Sequence, residues 1–372
     1  MRIYLAFPEK GNIAVAGSRI WLVHVCPTLV EMGHEVILFD EDFTLLLGGG
    51  ISLSEREFRR ARLSEKLIAH IRAQHAARPI DVFLSYFYTS CVDPEVIRDI
   101  RRMGIRTVNF SCNNAHQFHT VRDLAPLYDY CMVPERAALA KFRAVGARPV
   151  HVPMGANPKF FRPMELPKVY PVTFIGARYA DRLDFIAMLA KGAVDIRVWG
   201  AGWKRESAAE LATGARRAWG LGGIRRLAQG AASRVVDWGK RHAVDRVAAP
   251  PVSDDEMVRI YNQSTIALNF SKALDEDSPG VYVRHVRLRD FEVPMSGAFY
   301  MAEYSEELPE YYEIGKEIVA FETPRDLLDK ARYYLTQDSA RERIARAGHR
   351  RAMSDHTWTN RFRRFFEAVG LR

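Results

Sequence analysis

Cysteine is scarce in this 372-residue chain: Cys26, Cys91, Cys112 and Cys131 all fall in its first half, without the paired spacing of a zinc ligand set. Four buried, reduced thiols are the expectation. No uninterrupted run of about 18 apolar residues occurs, which excludes a spanning helix on the usual length criterion. Residues 1–8 read as the opening strand of a fold, with no basic segment and cleavable apolar stretch before them, so the expected location is cytoplasmic. The spaced-glycine dinucleotide fingerprint is also missing. Between Phe7 and Arg19 only Gly11 and Gly17 occur, and no third glycine opens the following helix, which removes the main support for a nicotinamide or flavin dehydrogenase. No nucleic-acid reading module accompanies the formal charge of +9, so a nucleic-acid partner is not expected. That charge suits an anionic ligand or surface without identifying one.

What is present is an α/β rhythm. Apolar β-rich runs at 3–7, 35–39, 80–85, 106–110, 128–133 and 149–152 alternate with helical patterns at 18–32, 94–103 and 134–145. This is the pattern of a parallel sheet with crossover helices, and Pro27 is expected to kink the first of them. Five prolines, Pro153, Pro158, Pro163, Pro167 and Pro171, then mark a linker. The rhythm restarts with strands at 172–175, 195–199, 265–270, 298–301 and 317–321. Its helices are read at 181–190, 254–262, 285–293, 324–335, 339–353 and 357–369, with Asp355 as N-cap of the last. The expected division is a first nucleotide-fold domain at 1–160, a second at 170–355, and a terminal helix at 356–372. An insertion at 204–246 carries ten basic against four acidic residues. Its interleaved apolar residues fit either a solvated helical hairpin or amphipathic helices on an anionic membrane, which would make the protein peripheral.

Ligands of open α/β sheets bind beyond the carboxyl ends of the strands, so the candidate residues are those that follow strands. Gly17, just before a helix, permits close approach of an anion or serves as a simple turn. Gly176 with Arg178 and Arg182 follows the 172–175 strand, where a helix N-terminus and two guanidinium forks suit a diphosphate, unless Arg182 merely pairs with Asp181 or Asp184. Trp199 and Gly200 offer an aromatic face beside small residues for a base or sugar, or Trp199 is core. Arg289, Glu292, Ser296 and Gly297 form the most pointed cluster. The Arg and Glu share a helical face, where the carboxylate can take two ribose hydroxyls and Arg289 a leaving group's charge, or the two form an ordinary ion pair. Gly297 ends that helix. In the first half, Asn113, Asn114, His116 and His119 form a polar loop after a strand, with His116 the acceptor-side candidate. Acidic triplets at 40–42 and 275–277 hint at metal only weakly, and none is expected.

With Phe174-Ile175-Gly176, Tyr261-Asn262-Gln263-Ser264, Arg289-Asp290-Phe291-Glu292-Val293-Pro294, Gly315-Lys316-Glu317, Ala347-Gly348-His349 and His356-Thr357-Trp358 in this order, the chain resembles the retaining glycosyltransferases of the GT-B architecture. Within them it resembles the spore-maturation CgeB-like group, over nearly its whole length. The resemblance implies two facing Rossmann-like domains with parallel sheets and a C-terminal helix that crosses back to the first domain. It implies transfer of a sugar from a nucleotide-diphosphate donor, UDP- or GDP-linked, to a hydroxyl of a glycan, lipid-linked or small-molecule acceptor. No cofactor or metal would be needed, and the leaving phosphate would take the acceptor proton. Glu292 looks like the ribose carboxylate, and Arg178 and Arg182 look like the diphosphate clamp, with Arg289 beside them. Two departures stand out: Arg284 occupies the position, eight residues before Glu292, where many relatives carry a second glutamate, and Asn113 and Asn114 stand where aspartates are common. They leave His116 or His119 to orient or deprotonate the acceptor. They also keep open an epimerase or hydrolase on the same fold, or a lapsed two-lobed scaffold.

Overall fold

The computed structural model describes residues 1–8, 19–48, 50–204, 238–278 and 280–371. Its first sheet comprises β1 (Arg2–Ala6), β2 (Glu35–Leu38), β3 (Val82–Ser85), β4 (Arg106–Phe110), β5 (Tyr130–Val133) and β6 (Pro149–His151), all parallel, in the order β2-β1-β3-β4-β5-β6. The second contains β7 (Tyr170–Ile175), β8 (Ile196–Trp199), β9 (Ala248–Ala249), β10 (Ser264–Asn269), β13 (Tyr300–Glu303) and β14 (Val319–Phe321), in the order β14-β13-β10-β7-β8-β9. Helices cover both faces of such sheets, so their strands are buried on both sides; β3 is buried at every residue. The strand order reverses between β1 and β3 and between β7 and β10. A parallel α/β sheet opens a ligand crevice at that switch.

The lobes are joined twice. After β6 the linker packs Pro163 against Gly297, whose φ of 73° ends the helix Arg289–Met295 and whose missing side chain leaves room for the proline ring. The last helix, Trp358–Ala368, then returns to the first lobe, as expected. Trp358 meets Phe110 of β4 edge-on at 5.7 Å and Phe366 meets His34 at 5.4 Å. Arg361, buried in this crossing, donates through Nε to the Met154 carbonyl at 3.0 Å and lies 5.3 Å from the Phe291 ring centroid.

Several local expectations change. The helix Ile20–Glu31 runs on through Pro27. The ring nitrogen cannot donate to the carbonyl four residues back, and Asn157 Nδ2 of the linker serves that Val23 oxygen instead, at 3.1 Å. A 25-residue helix, Leu53–Ala77, fills the stretch between β2 and β3 left without an element. Its N-cap Ser52 accepts from Glu55 N, and Leu63, Leu67 and Ile71 are its buried stripe. The helix expected from 285 begins at Arg289, because the buried Asp290 carboxylate takes the Arg287 N–H, the Tyr300 hydroxyl and an Asn269 N–H and fixes the preceding residues outside the helix. Thr357, and not Asp355, caps the last helix by accepting from Asn360 N at 3.2 Å; Asp355 closes the helix before it. An antiparallel hairpin, β11 (Lys272–Leu274) with β12 (Tyr282–Arg284), projects beyond β10.

Candidate active site between the two lobes

A cleft of about 1140 Å³ runs between the sheets, with the loops after both sets of strands on its walls. On the second lobe its floor is the turn after β7. Gly176 donates to the Trp199 carbonyl at 2.8 Å, and its own carbonyl accepts from Trp203 Nε1 at 2.6 Å. Gly200 crosses so close, at φ 144°, that a Cβ there would overlap the Gly176 carbonyl. These two glycines serve the crossing of neighbouring loops, and of the pair only Gly176 lines the cleft. Trp199 is packed in the core, edge-on to Tyr170 at 5.2 Å.

The arginines of that turn are differently placed. Arg178 Nε donates to the Gly202 carbonyl at 2.7 Å, and Arg178 is not among the residues that line the cleft. Arg182 does line it, but at 4% exposure its guanidinium serves the Ala177 carbonyl at 2.8 Å, the Phe270 carbonyl at 3.1 Å and the Tyr179 hydroxyl. Its charge sits 3.6 Å from the Tyr179 ring centroid, and burial pulls its pKa down to about 9. Arg182 thus braces the loop and lends it positive charge.

Arg182 also keeps a buried Nε without a partner, and beside it on the same wall stand Arg287 and Arg289. Both line the cleft, both bury an Nε that has no partner, and neither forms a salt bridge among the described residues. Arg287 is tied to the hairpin base by a bond from Nη2 to the Ser271 carbonyl at 3.1 Å. Asp290 holds the Arg287 backbone on station by accepting its N–H. Arg287 was not singled out in the sequence; its signal was the alternation Arg287-Leu288-Arg289 just ahead of a helix.

Glu292 lies one turn beyond Arg289, lines the same cleft and is 1% exposed. Its Oε1 is 3.2 Å from Nε2 of His24, a first-lobe residue whose ring stacks on Phe161 at 5.2 Å. Ser296 is occupied within the helix, donating to the Glu292 carbonyl at 2.9 Å, and Gly297 faces the linker, so neither reaches the cleft. Gly17 lies outside the described residues, as does most of the basic insertion, residues 205–237, together with its amphipathic reading.

Across the cleft, the turn after β4 begins with Asn113 in the left-handed region (φ 68°) and carries His116, 7% exposed. Its ring centroid is 5.2 Å from that of His285 of the other lobe. Burial, with Arg287 and Lys141 adding repulsion, pushes the His116 pKa down to about 3, and burial drives His285 well below its usual value. Two neutral imidazoles therefore meet at the cleft. Glu135, unnoticed in the sequence, lines the same cleft after β5. It accepts from Asn113 N at 2.5 Å and Asn114 Nδ2 at 3.1 Å, and burial raises it to about 7. A buried carboxylate from the loop after β5 thus stands against positions 113 and 114. His119 instead pairs with Asp277 at 2.8 Å, in a latch that also joins Gln117 to Glu276 at 2.7 Å. Among the described residues no three His, Cys, Asp or Glu side chains gather to hold a metal ion, and no helix is long and apolar enough to cross a membrane.

No curated protein matches the chain. Among solved structures it is similar to sucrose-phosphate synthase from Thermosynechococcus elongatus, with TM-score 0.63 and 12% identity over 100% of this chain and 99% of that one. It is also similar to Anabaena Alr3699/HepE in complex with UDP-glucose, with TM-score 0.62 and 10% identity over 100% of both chains. A glycosyltransferase from Rickettsia africae gives TM-score 0.61 and 11% identity, over 99% of this chain and 97% of that one. At such identities the likeness is one of fold, and the fold is GT-B. A family model described as glycosyl transferase-like matches residues 178–367, more than half of the chain and the whole arginine and glutamate apparatus of the second lobe. The chain belongs to the glycosyl transferase-like family.

Proposed function

We propose that the protein transfers a sugar from a nucleoside diphosphate donor, UDP- or GDP-linked, to a hydroxyl acceptor, with retention and without metal, as a member of the CgeB-like group. The observation that carries this reading is the set of Arg287, Arg289 and Glu292 on one approach-and-helix segment, facing a neutral His116 across a single cleft. A nucleoside diphosphate needs that combination: cations for its phosphates and a carboxylate for its ribose diol. Glu292 accepts from the ribose hydroxyls. Arg287 and Arg289, with the Arg182-braced loop behind them, take up the charge that grows on the leaving phosphate as the glycosidic bond breaks. Guanidinium groups in a water-poor cleft can supply the electrostatic stabilisation that a metal ion supplies elsewhere.

His116 has a limited part in this scheme. A base with a pKa near 3 holds a proton poorly at neutral pH, so it accepts a hydrogen bond from the acceptor hydroxyl and orients it. The proton passes to the departing phosphate oxygen on the same face of the sugar, which gives retention. The test is calorimetric titration with UDP- and GDP-sugars, repeated with Arg289→Ala and Glu292→Ala. Binding of one donor class, lost in both variants, supports the assignment; no binding of any donor rejects it.

A further inference from the structure

The first-lobe end of the cleft carries a charge that the donor reading leaves unused. Arg56 and Arg60 lie one turn apart on the helix Leu53–Ala77, and both line the cleft with Ser90 and Thr120 nearby. Arg59 on the same helix is neutralised locally, pairing with Glu55 at 2.5 Å. Arg60 has Asp93 at 2.8 Å. Arg56 is half-buried, forms no salt bridge among the described residues, and has as its hydrogen-bond partner the Gly48 carbonyl, at 3.2 Å from Nη2. Its Nε is fully buried and has no partner. Asp123, which lines the same cleft, is engaged by Arg122 at 3.2 Å. A half-buried guanidinium without a counter-ion costs free energy that an incoming anion would recover, and the fork geometry favours phosphate or carboxylate oxygens.

We propose that the acceptor is anionic, carrying a phosphate or carboxylate group that Arg56 binds, with Arg60 beside it, while its hydroxyl reaches His116. This rests on the glycosyl-transfer reading and names the acceptor class for it. A soluble sugar phosphate and the headgroup of a phospholipid share this chemistry. Leu45, Leu53 and Phe58, exposed around the same end, would suit the second source.

The test measures binding of glucose and glucose 6-phosphate in the presence of saturating UDP. It also measures co-sedimentation with phosphatidylcholine vesicles with and without phosphatidic acid. Each is repeated with Arg56→Gln, Arg60→Gln and, as a charge control, Arg59→Gln. A preference for the phosphorylated probe on the order of 10- to 100-fold is expected. It should be lost in Arg56→Gln, reduced in Arg60→Gln and kept in Arg59→Gln. A preference confined to the sugar phosphate, or to the phosphatidic acid vesicles, identifies the source. Equal binding of charged and neutral probes, binding of neither, or a preference that survives Arg56→Gln overturns the proposal. UDP affinity in the same variants separates the two readings, since it should be unchanged in Arg56→Gln, whereas absence of UDP binding in the unaltered protein would reject the transferase reading itself.

Discussion

Replacing Glu292 tests the assignment at its most buried point. The carboxylate is 1% exposed and has His24 Nε2 at 3.2 Å, so one oxygen is held by the first lobe and the other is available to a ribose diol. Charge-assisted hydrogen bonds are each worth about 1.5–3 kcal/mol. Losing two in Glu292→Ala should weaken UDP binding by roughly 3 kcal/mol, on the order of 100-fold. Removing the acid also strands His24, whose Nδ1 is already without a partner, and should lower stability by about 1–3 kcal/mol. Calorimetry with UDP and its 2′-deoxy analogue on both proteins separates the two effects. The unaltered protein should prefer the ribonucleotide, and Glu292→Ala should bind both equally weakly, because the discriminating carboxylate is gone. If Glu292→Ala still distinguishes ribose from deoxyribose, the carboxylate reads something else and the donor site is wrongly placed.

Three further outcomes are expected. Arg287→Gln and Arg289→Gln should each reduce UDP affinity about tenfold or more while leaving uridine binding nearly unchanged, as titrations of both ligands would show. His116 titrates near 3 against an ordinary 6.5, so the unfolded chain binds the proton more readily and stability falls as pH drops through 6.5 towards 3. Between pH 7 and 5 the unaltered protein should lose about 2 kcal/mol more than His116→Asn in urea unfolding. The raised Glu135 contributes in the opposite sense to both proteins and cancels in the comparison. Gly200→Ala should lower thermal stability by about 2 kcal/mol or more, since φ is 144° and the added methyl overlaps the Gly176 carbonyl; an unchanged melting temperature would contradict the crossing of the two loops.

Much of the fold was legible because parallel strands buried on both faces leave continuous apolar runs. The six strands of the first sheet could be read from such runs, as could Arg289 and Glu292 from their one-turn spacing. The helix Leu53–Ala77 was missed although Leu63, Leu67 and Ile71 recur every four residues, since one narrow stripe is diluted by charge over 25 residues. The hairpin of β11 and β12 was missed because three-residue strands carry too little periodicity.

The α/β class and the two sheets were legible in the chain, since they follow from local apolar pattern, and one-turn spacing marked the segment around Arg289 and Glu292; the return of the last helix was implied by the family resemblance alone. Tertiary structure alone decided which cations face the cleft. Arg178 and Arg182 follow a strand as a phosphate clamp would, yet Arg178 does not line the cleft and Arg182 gives its terminal nitrogens to the Ala177 and Phe270 carbonyls and the Tyr179 hydroxyl; a buried Nε without a partner is common to Arg182, Arg287 and Arg289. Only the fold likewise brings His24 to Glu292, 268 positions away, and sets His116 beside His285 across the lobes. A guanidinium's role depends on which acceptors surround it, and some of those come from segments distant in the chain, Gly202 for Arg178 and Phe270 for Arg182, so local spacing alone does not encode it.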